Sequence, residues 1–264
     1  MWPIWLQILT ALFAMSLLMS GLWLQQRWTG KAGVVDVAWG LGVALSTALF
    51  AVFAIDGLPE RRVLIVVMAT VWALRLSGYV LVRVWTMPED GRYETLKERW
   101  GENWQATMFG FYQLQALWSV LFALPMLIAL HNPRPLGVWD VVGLLVGTAA
   151  LAGEAIADRQ LHRFRRRTDS SGKVCQVGLW RYSRHPNYFF EWLHWWAYVA
   201  LSVGAPWWWL TFLGPAVMLY FLLFVTGIPP AEEQALKSRG DAYRAYQQTT
   251  SVFVPWPPKQ EAVS

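Results

Sequence analysis

Long, unbroken apolar segments follow one another along this chain and limit what it can fold into. They cover approximately residues 3–25, 33–55, 62–85, 109–130, 137–158, 187–204 and 207–227. Most are close to the ~20 apolar residues that an α-helix needs to cross a bilayer. The sequence therefore predicts an all-α polytopic membrane protein: one integral membrane domain over 1–264, with seven transmembrane helices, a basic loop and a polar tail at 228–264.

Composition supports a membrane location. Charged residues make up 15% of the chain, where a soluble domain has about a quarter. The 19 tryptophans suit aromatic belts at the two membrane surfaces, as in "HWWAY" (194–198) and "APWWWL" (205–210). The N-terminal segment has no basic region before it, so we interpret it as a first span and not as a signal peptide. A single cysteine, Cys175, excludes an intramolecular disulfide and is interpreted as a spectator thiol.

The distribution of lysine and arginine predicts the orientation. Seven spans place the two termini on opposite sides of the membrane. The loop after the fifth span and the tail are rich in basic residues, whereas the opposite side offers only Arg61, Arg62 and Arg134. By the positive-inside rule, the basic loop and the C-terminus are cytoplasmic and the N-terminus faces away. The expected location is a bacterial inner membrane or its equivalent.

Two early spans contain polar residues, which are costly at membrane depth: a charged group costs about 2.5–3.5 kcal/mol on insertion scales. Asp36 lies one turn into the second span, within "GVVDVAWGLG". It is either a carboxylate at the membrane surface or a buried acid that faces the bundle. Arg75, Tyr79 and Arg83 form one stripe on the third span, and Arg75 is the expected partner of Asp36. Arg83 could instead extend to the cytoplasmic surface.

The fifth span ends in "GEAIADRQLHRFRRR", which combines acidic and basic residues. Glu154, Asp158 and His162 recur at helical spacing, and arginines follow on neighbouring faces. One interpretation is an amphipathic helix end whose arginines bind lipid headgroups. The other is a site for a polyanionic cofactor, because the guanidinium group offers a planar fork of donors to phosphate.

The stretch "RYSRHPNYFFEW" (181–192) begins the sixth span with polar side chains. Pro186 suits the first turn of a helix, where its missing N–H costs nothing. The helix start presents free N–H groups and the positive end of the helix dipole. Arg184, His185, Asn187 and Tyr188 surround it, and Glu191 follows one turn later. The pattern predicts a site for an anionic, polyhydroxylated cofactor; the alternative is an interfacial cap without a ligand.

Three quoted segments carry a family resemblance: "VVDVAWGLG", "VGLWRYSRHPNYFFEWLHWW" (177–196) and "EEQALKSRGDAYRAYQQTTSVFVPW" (232–256). Together they resemble the steroid 5α-reductase superfamily, in particular its bacterial branch of membrane proteins with a domain of unknown function. The Arg-His-Pro-x-Tyr core and a following acidic pair also occur in membrane methyltransferases that use S-adenosylmethionine, including the isoprenylcysteine carboxyl methyltransferases. The core therefore indicates a cofactor site without choosing the cofactor.

The resemblance implies an oxidoreductase of lipid metabolism. It would use NADPH to reduce the C=C bond of a lipophilic enone, steroid-like or isoprenoid, as a 3-oxo-Δ4-steroid 5α-reductase does. The arginine run at 163–167 favours NADPH, since it exceeds what an adenosyl group requires. The alternatives are an S-adenosylmethionine-dependent methyltransferase and a lipid or sterol carrier without catalytic activity.

The resemblance also implies roles for individual residues. Tyr79 would be catalytic, with Asp36 standing where human-type members have a glutamate, and Trp39 and Arg75 would line the substrate pocket. The tail would close over the cofactor, although it could instead be a solvated amphipathic helix. No metal and no nucleic acid are expected, and the chain would be a monomer among membrane lipids. The expected cofactor-binding residues are Asp158, His162, Arg163, Arg165, Arg166, Arg181, Arg184, His185, Asn187, Tyr188, Glu191, Glu232, Tyr243 and Tyr246.

Overall fold

The computed structural model describes residues 2–86, 91–168 and 172–259, without the side chains at 83, 86, 91, 92 and 94–96, so that of Arg83 lies outside the described part. The described chain is helical and contains no strand, which confirms the all-α prediction. The helices are α1 (Ile4–Thr29), α2 (Val34–Phe53), α3 (Pro59–Thr86), α4 (Gly91–Trp100), α5 (Trp104–Leu130), α6 (Val138–Arg165), α7 (Pro186–Ser202), α8 (Leu213–Tyr220), α9 (Ile228–Arg239) and α10 (Asp241–Thr249). Short helical turns at Gly101–Asn103, Gly178–Arg181, Trp208–Phe212 and Phe221–Val225 adjoin them.

Six helical stretches within the described residues are long and apolar enough to cross a membrane, and they indicate an integral membrane protein. They are Ile4–Thr29, Val34–Phe53, Pro59–Val82, Lys97–Leu130, Val138–Arg165 and Trp208–Arg239. The predicted sixth span, 187–204, corresponds to α7, which has 17 residues and is shorter than the others. The count of seven therefore stays a prediction.

The chain divides into two compact units, where the sequence predicted one domain. The first unit comprises Met1–Leu136 and Ser202–Thr211. Its core consists of α1, α2, α3 and α5. Helices α2 and α3 approach closely at Gly40, where an added Cβ would lie 2.8 Å from Ser77 Oγ. Ser77 also donates a hydrogen bond to the Val37 carbonyl over 2.9 Å, so a buried hydroxyl joins the two helices.

The second unit comprises Gly137–Leu201 and Phe212–Ser264. Its polar tail folds as α9 and α10, which bury a small core of Ala235, Tyr243 and Tyr246. The chain after α10 then runs back along residues 182–184. Here the Arg184 N–H donates to the Ser251 carbonyl over 2.8 Å, and the Trp256 N–H donates to the Tyr182 carbonyl over 2.9 Å. The tail is thus fixed to the segment that begins α7.

Candidate functional site

In the first unit, the structure gives Asp36 a phenolic partner. The Tyr93 hydroxyl, on α4, donates to Asp36 Oδ1 over 3.1 Å. Tyr93 is 4% exposed and Asp36 is half-buried. One turn along α2, Trp39 packs edge-to-face on Trp72 and Phe122, with ring centroids 5.9 and 5.5 Å apart. A hydrogen-bonded acid therefore lies one helical turn from an aromatic wall built by α2, α3 and α5.

The resemblance implies that Tyr79 is the phenol that acts together with Asp36. The structure places Tyr79 on α3 with 45% of its surface exposed, and Arg75 half-buried one turn before it. The phenol that contacts Asp36 in the described hydrogen bonds is Tyr93, which the sequence analysis missed. Tyr93 lies in a polar segment after the third span, so the only signal was a tyrosine among charged residues. The catalytic role of Tyr79 stays a prediction.

In the second unit, the structure brings several predicted cofactor residues together where α6 approaches the start of α7. Asn187 Nδ2 donates to Asp158 Oδ1 over 3.4 Å. Asn187 Oδ1 is buried, and no described residue donates a hydrogen bond to it. Helix α7 begins at Pro186, as predicted, and the ring of Tyr188 stacks on that of His185 with centroids 5.3 Å apart. This corner offers a carboxylate and a buried amide oxygen as acceptors for a ligand.

A second group of predicted residues surrounds Glu232 on α9. Its Oε1 accepts from Arg184 Nε over 2.7 Å and from the Tyr243 hydroxyl over 3.3 Å. His185 Nε2 lies 3.2 Å from the same oxygen, and Gln247 Nε2 donates to Oε2 over 2.8 Å. These side chains bind one another and hold the tail on the Arg184–His185 segment. We call this cluster of Arg184, His185, Glu232, Tyr243 and Gln247 the clasp.

Two further hydrogen bonds extend this clasp. The Tyr246 hydroxyl donates to the carbonyl oxygens of Trp180 and Ser183. Burial raises the pKa of Tyr243 and of Tyr246, and burial lowers the pKa of His185 although Glu232 opposes that shift. At neutral pH the two phenols therefore stay protonated and the imidazole is neutral. The clasp works through hydrogen bonds and the Arg184–Glu232 ion pair, not through proton transfer.

The remaining predicted cofactor-binding residues lie in different parts of the second unit. Arg163, Arg165, Arg166 and His162 are exposed at the end of α6. Glu191 is buried in α7 at 7% exposure. Arg181 is exposed and lines a surface cavity of about 380 Å³, together with Gln176, Thr249, Thr250, Pro258 and Lys259. Two cations, two hydroxyls and an amide in one cavity suit a phosphate group.

Comparison with known proteins places the chain in a family. Residues 22–250 match the family described as "Protein of unknown function (DUF1295)", and the chain belongs to that family. A similar relative is "Uncharacterized protein C594.04c" of Schizosaccharomyces pombe, which is 26% identical over 267 residues that cover 89% of this chain and 75% of the relative. No solved structure matches the chain.

Proposed function

We propose that this protein is an NADPH-dependent reductase of the C=C bond of a lipophilic enone. The observation that best supports this proposal is the Tyr93–Asp36 hydrogen bond of 3.1 Å. It lies one helical turn from the aromatic wall of Trp39, Trp72 and Phe122. Trp72 and Phe122 are buried behind Trp39, so the half-buried ring of Trp39 is the part that would contact a flat apolar substrate. A positioned phenol and acid suit its carbonyl oxygen, since donors aimed at that oxygen stabilise the negative charge that develops during reduction. The resemblance to the steroid 5α-reductase superfamily supports the same chemistry.

Polar groups of the second unit support the choice of cofactor. Bound NADPH would supply the hydride. Asp158 and the buried Asn187 Oδ1 would accept hydrogen bonds from its hydroxyl or amide groups. Arg165, and Arg181 with Lys259, would hold its phosphates as cationic donors. The clasp around Glu232 would act indirectly, because it fixes the position of the segment that carries Asn187.

The roles in the first unit can be separated by substitution. Tyr93→Phe removes the hydroxyl group that donates to Asp36, and Tyr79→Phe removes the exposed phenolic hydroxyl of α3. A positioned proton donor contributes about 10²–10⁴-fold, so we expect a loss of that size in enone turnover from Tyr93→Phe. Tyr112→Phe is the matched control, since its buried hydroxyl on α5 donates to the backbone carbonyl of Ala32 over 3.5 Å, whereas that of Tyr93 donates to Asp36. Turnover is followed as NADPH oxidation by purified protein.

A second experiment, which identifies the bound cofactor, decides between the reaction classes. Mass spectrometry of the nucleotide released from purified protein, with titrations of NADPH, NADH and S-adenosylmethionine, identifies the cofactor. We expect NADPH to bind more tightly than NADH. Binding of S-adenosylmethionine alone would replace the reductase with a methyltransferase, and binding of none of the three would favour a carrier. In the turnover assay, Tyr93→Phe could keep full activity while Tyr79→Phe loses it. That result would identify Tyr79, and not Tyr93, as the catalytic residue.

A further inference from the structure

Helix α6 has one continuous outward face, and its character changes along its length. Val141, Leu145 and Ile156 are exposed on it at 56%, 63% and 47%. Arg159, Arg163 and Arg166 follow and are also exposed. At about 100° per residue, these six positions fall within an arc of about 60–80° on the helix surface. The outward face is therefore apolar along most of α6 and becomes purely cationic over its last two turns.

The acidic and cofactor-related residues of α6 lie off this face. Asp158 is about 100° away from Arg159 around the helix, and Arg165 is about 120° away on the same side as Asp158. The opposite, buried face includes Gly153, Glu154 and Ala157. The arginines at the end of α6 thus divide into two sets: Arg165 with Asp158, and Arg159, Arg163 and Arg166 on the outward face.

The surroundings of the outward face identify its ligand. Helix α6 is one of the stretches long and apolar enough to span a membrane, so we expect the exposed Val141, Leu145 and Ile156 to face lipid chains. Arginines that continue the same face beyond the apolar part lie at the level of the lipid headgroups. Their apolar stems can lie along the lipid while the guanidinium groups reach the phosphates.

We propose that Arg159, Arg163 and Arg166 form a binding site for the headgroup of an anionic phospholipid. Guanidinium groups bind phosphate through two parallel hydrogen bonds, and no carboxylate of the described α6 lies on the outward face to compete. The arginines rise over about 10 Å along the helix axis, so they can contact a headgroup phosphate and a second anionic group beside it. This site is independent of the proposed reductase activity.

The test compares lipid binding by the unsubstituted full chain and by three charge variants. Purified protein in neutral detergent is titrated with phosphatidylglycerol or phosphatidylcholine, and bound lipid is counted by native mass spectrometry. We expect a preference for phosphatidylglycerol. The triple variant Arg159→Gln/Arg163→Gln/Arg166→Gln should lose that preference, by about a hundredfold if each arginine contributes as a basic residue near an anionic surface does.

Two control variants distinguish a specific lipid site from a general effect of positive charge. Lys237→Gln/Arg244→Gln removes exposed cations of the tail, and Arg165→Gln removes the arginine on the other side of α6. Both should keep the preference for phosphatidylglycerol. Equal binding of the two lipids, an equal loss in the control variants, or displacement of phosphatidylglycerol by NADPH or inorganic phosphate would overturn the proposal. All three substituted arginines are exposed, so the triple variant should fold.

Discussion

At the residue scale, Glu232 joins the tail to the segment before α7. Its side chain is 16% exposed, and that of Arg184 is 10% exposed. Moving such charges out of water is costly, and the cost is offset only when donors satisfy the carboxylate. Arg184 also donates through Nη1 to the carbonyl oxygens of Gln247 and Thr250, at 3.1 and 2.8 Å. Its guanidinium group therefore also caps the C-terminal end of α10.

Glu232→Gln tests this joint. The substitution leaves the buried Arg184 without a counter-charge, so we expect it to reduce the free energy of unfolding by about 3 kcal/mol. Glu233→Gln is the adjacent control: its 2.6 Å pair with Lys237 is 66–67% exposed, so solvent screens the pair and its loss should leave the melting temperature nearly unchanged. Thermal melting and protease cleavage of the tail measure both effects. Equal shifts in the two variants would contradict the clasp.

Asp36 also illustrates what a sequence can reveal about a single residue. A lone carboxylate in an apolar run is visible without a structure, because its cost in a membrane demands a reason. Its hydrogen bond with Tyr93 is not visible, since Tyr93 lies 57 positions further along, on a different helix. Helical spacing predicts one stripe of Arg75 and Tyr79 on α3, with Arg75 as the partner of Asp36, and that pairing stays a prediction. Tertiary packing brings Tyr93 to the acid, and no local pattern encodes that contact.

At the element scale, α6 and α7 show both the strength and the limit of helical patterns. Pro186 predicts the start of α7 because proline is favoured in the first turn of a helix, where its missing N–H costs nothing. The predicted apolar span ends at 158, and the helix continues to Arg165, because the polar residues after 158 also adopt helical structure. The predicted stripe of Glu154, Asp158 and His162 changes from buried to exposed along α6.

The packing of α6 on α7 depends on a glycine. A Cβ at Gly153 would lie 2.4 Å from two ring atoms of Phe190. We expect Gly153→Ala to reduce stability by about 1–3 kcal/mol, because the aromatic ring must move out of a packed position. Gly110→Ala on α5 is the control, since its Cβ would meet nothing within 4 Å. Melting temperatures in detergent compare the two. A Gly153→Ala protein as stable as Gly110→Ala would show that the ring adapts without cost.

At the scale of the whole molecule, the first unit has two distinct ends. At one end, His131 Nδ1 lies 2.7 Å from Asp56 Oδ1, and Arg61 donates to the Asn132 carbonyl over 2.9 Å. At the other, Lys31 Nζ donates to the Val84 carbonyl over 3.4 Å. The chain thus alternates between ends through α1, α2, α3 and α5, as the apolar runs predicted. Hydropathy does not specify which helices pack together, so the division into two units could not be predicted.

The same contacts bear on whether α7 crosses the membrane. Asn132 Nδ2 donates to the Val203 carbonyl over 3.3 Å, so the residue after α7 lies at the end where α5 finishes. Helix α7 ends at Ser202, directly before that contact. A helix of 17 residues is about 26 Å long, close to the ~30 Å hydrocarbon core. We therefore expect α7 to cross, which gives seven spans.

Seven crossings place the C-terminus and the 131–137 loop on opposite sides, with the more basic side in the cytoplasm. The buried Cys175 is first replaced by serine, and single cysteines are then introduced at the exposed Leu136 and Ser238. A membrane-impermeant maleimide applied to intact cells should label Leu136→Cys at once and Ser238→Cys only after permeabilisation. Labelling of both from outside, or of neither, would mean that α7 does not cross and that the chain has six spans. Labelling of Ser238→Cys alone would keep seven spans and reverse the orientation, because the two positions would still lie on opposite sides.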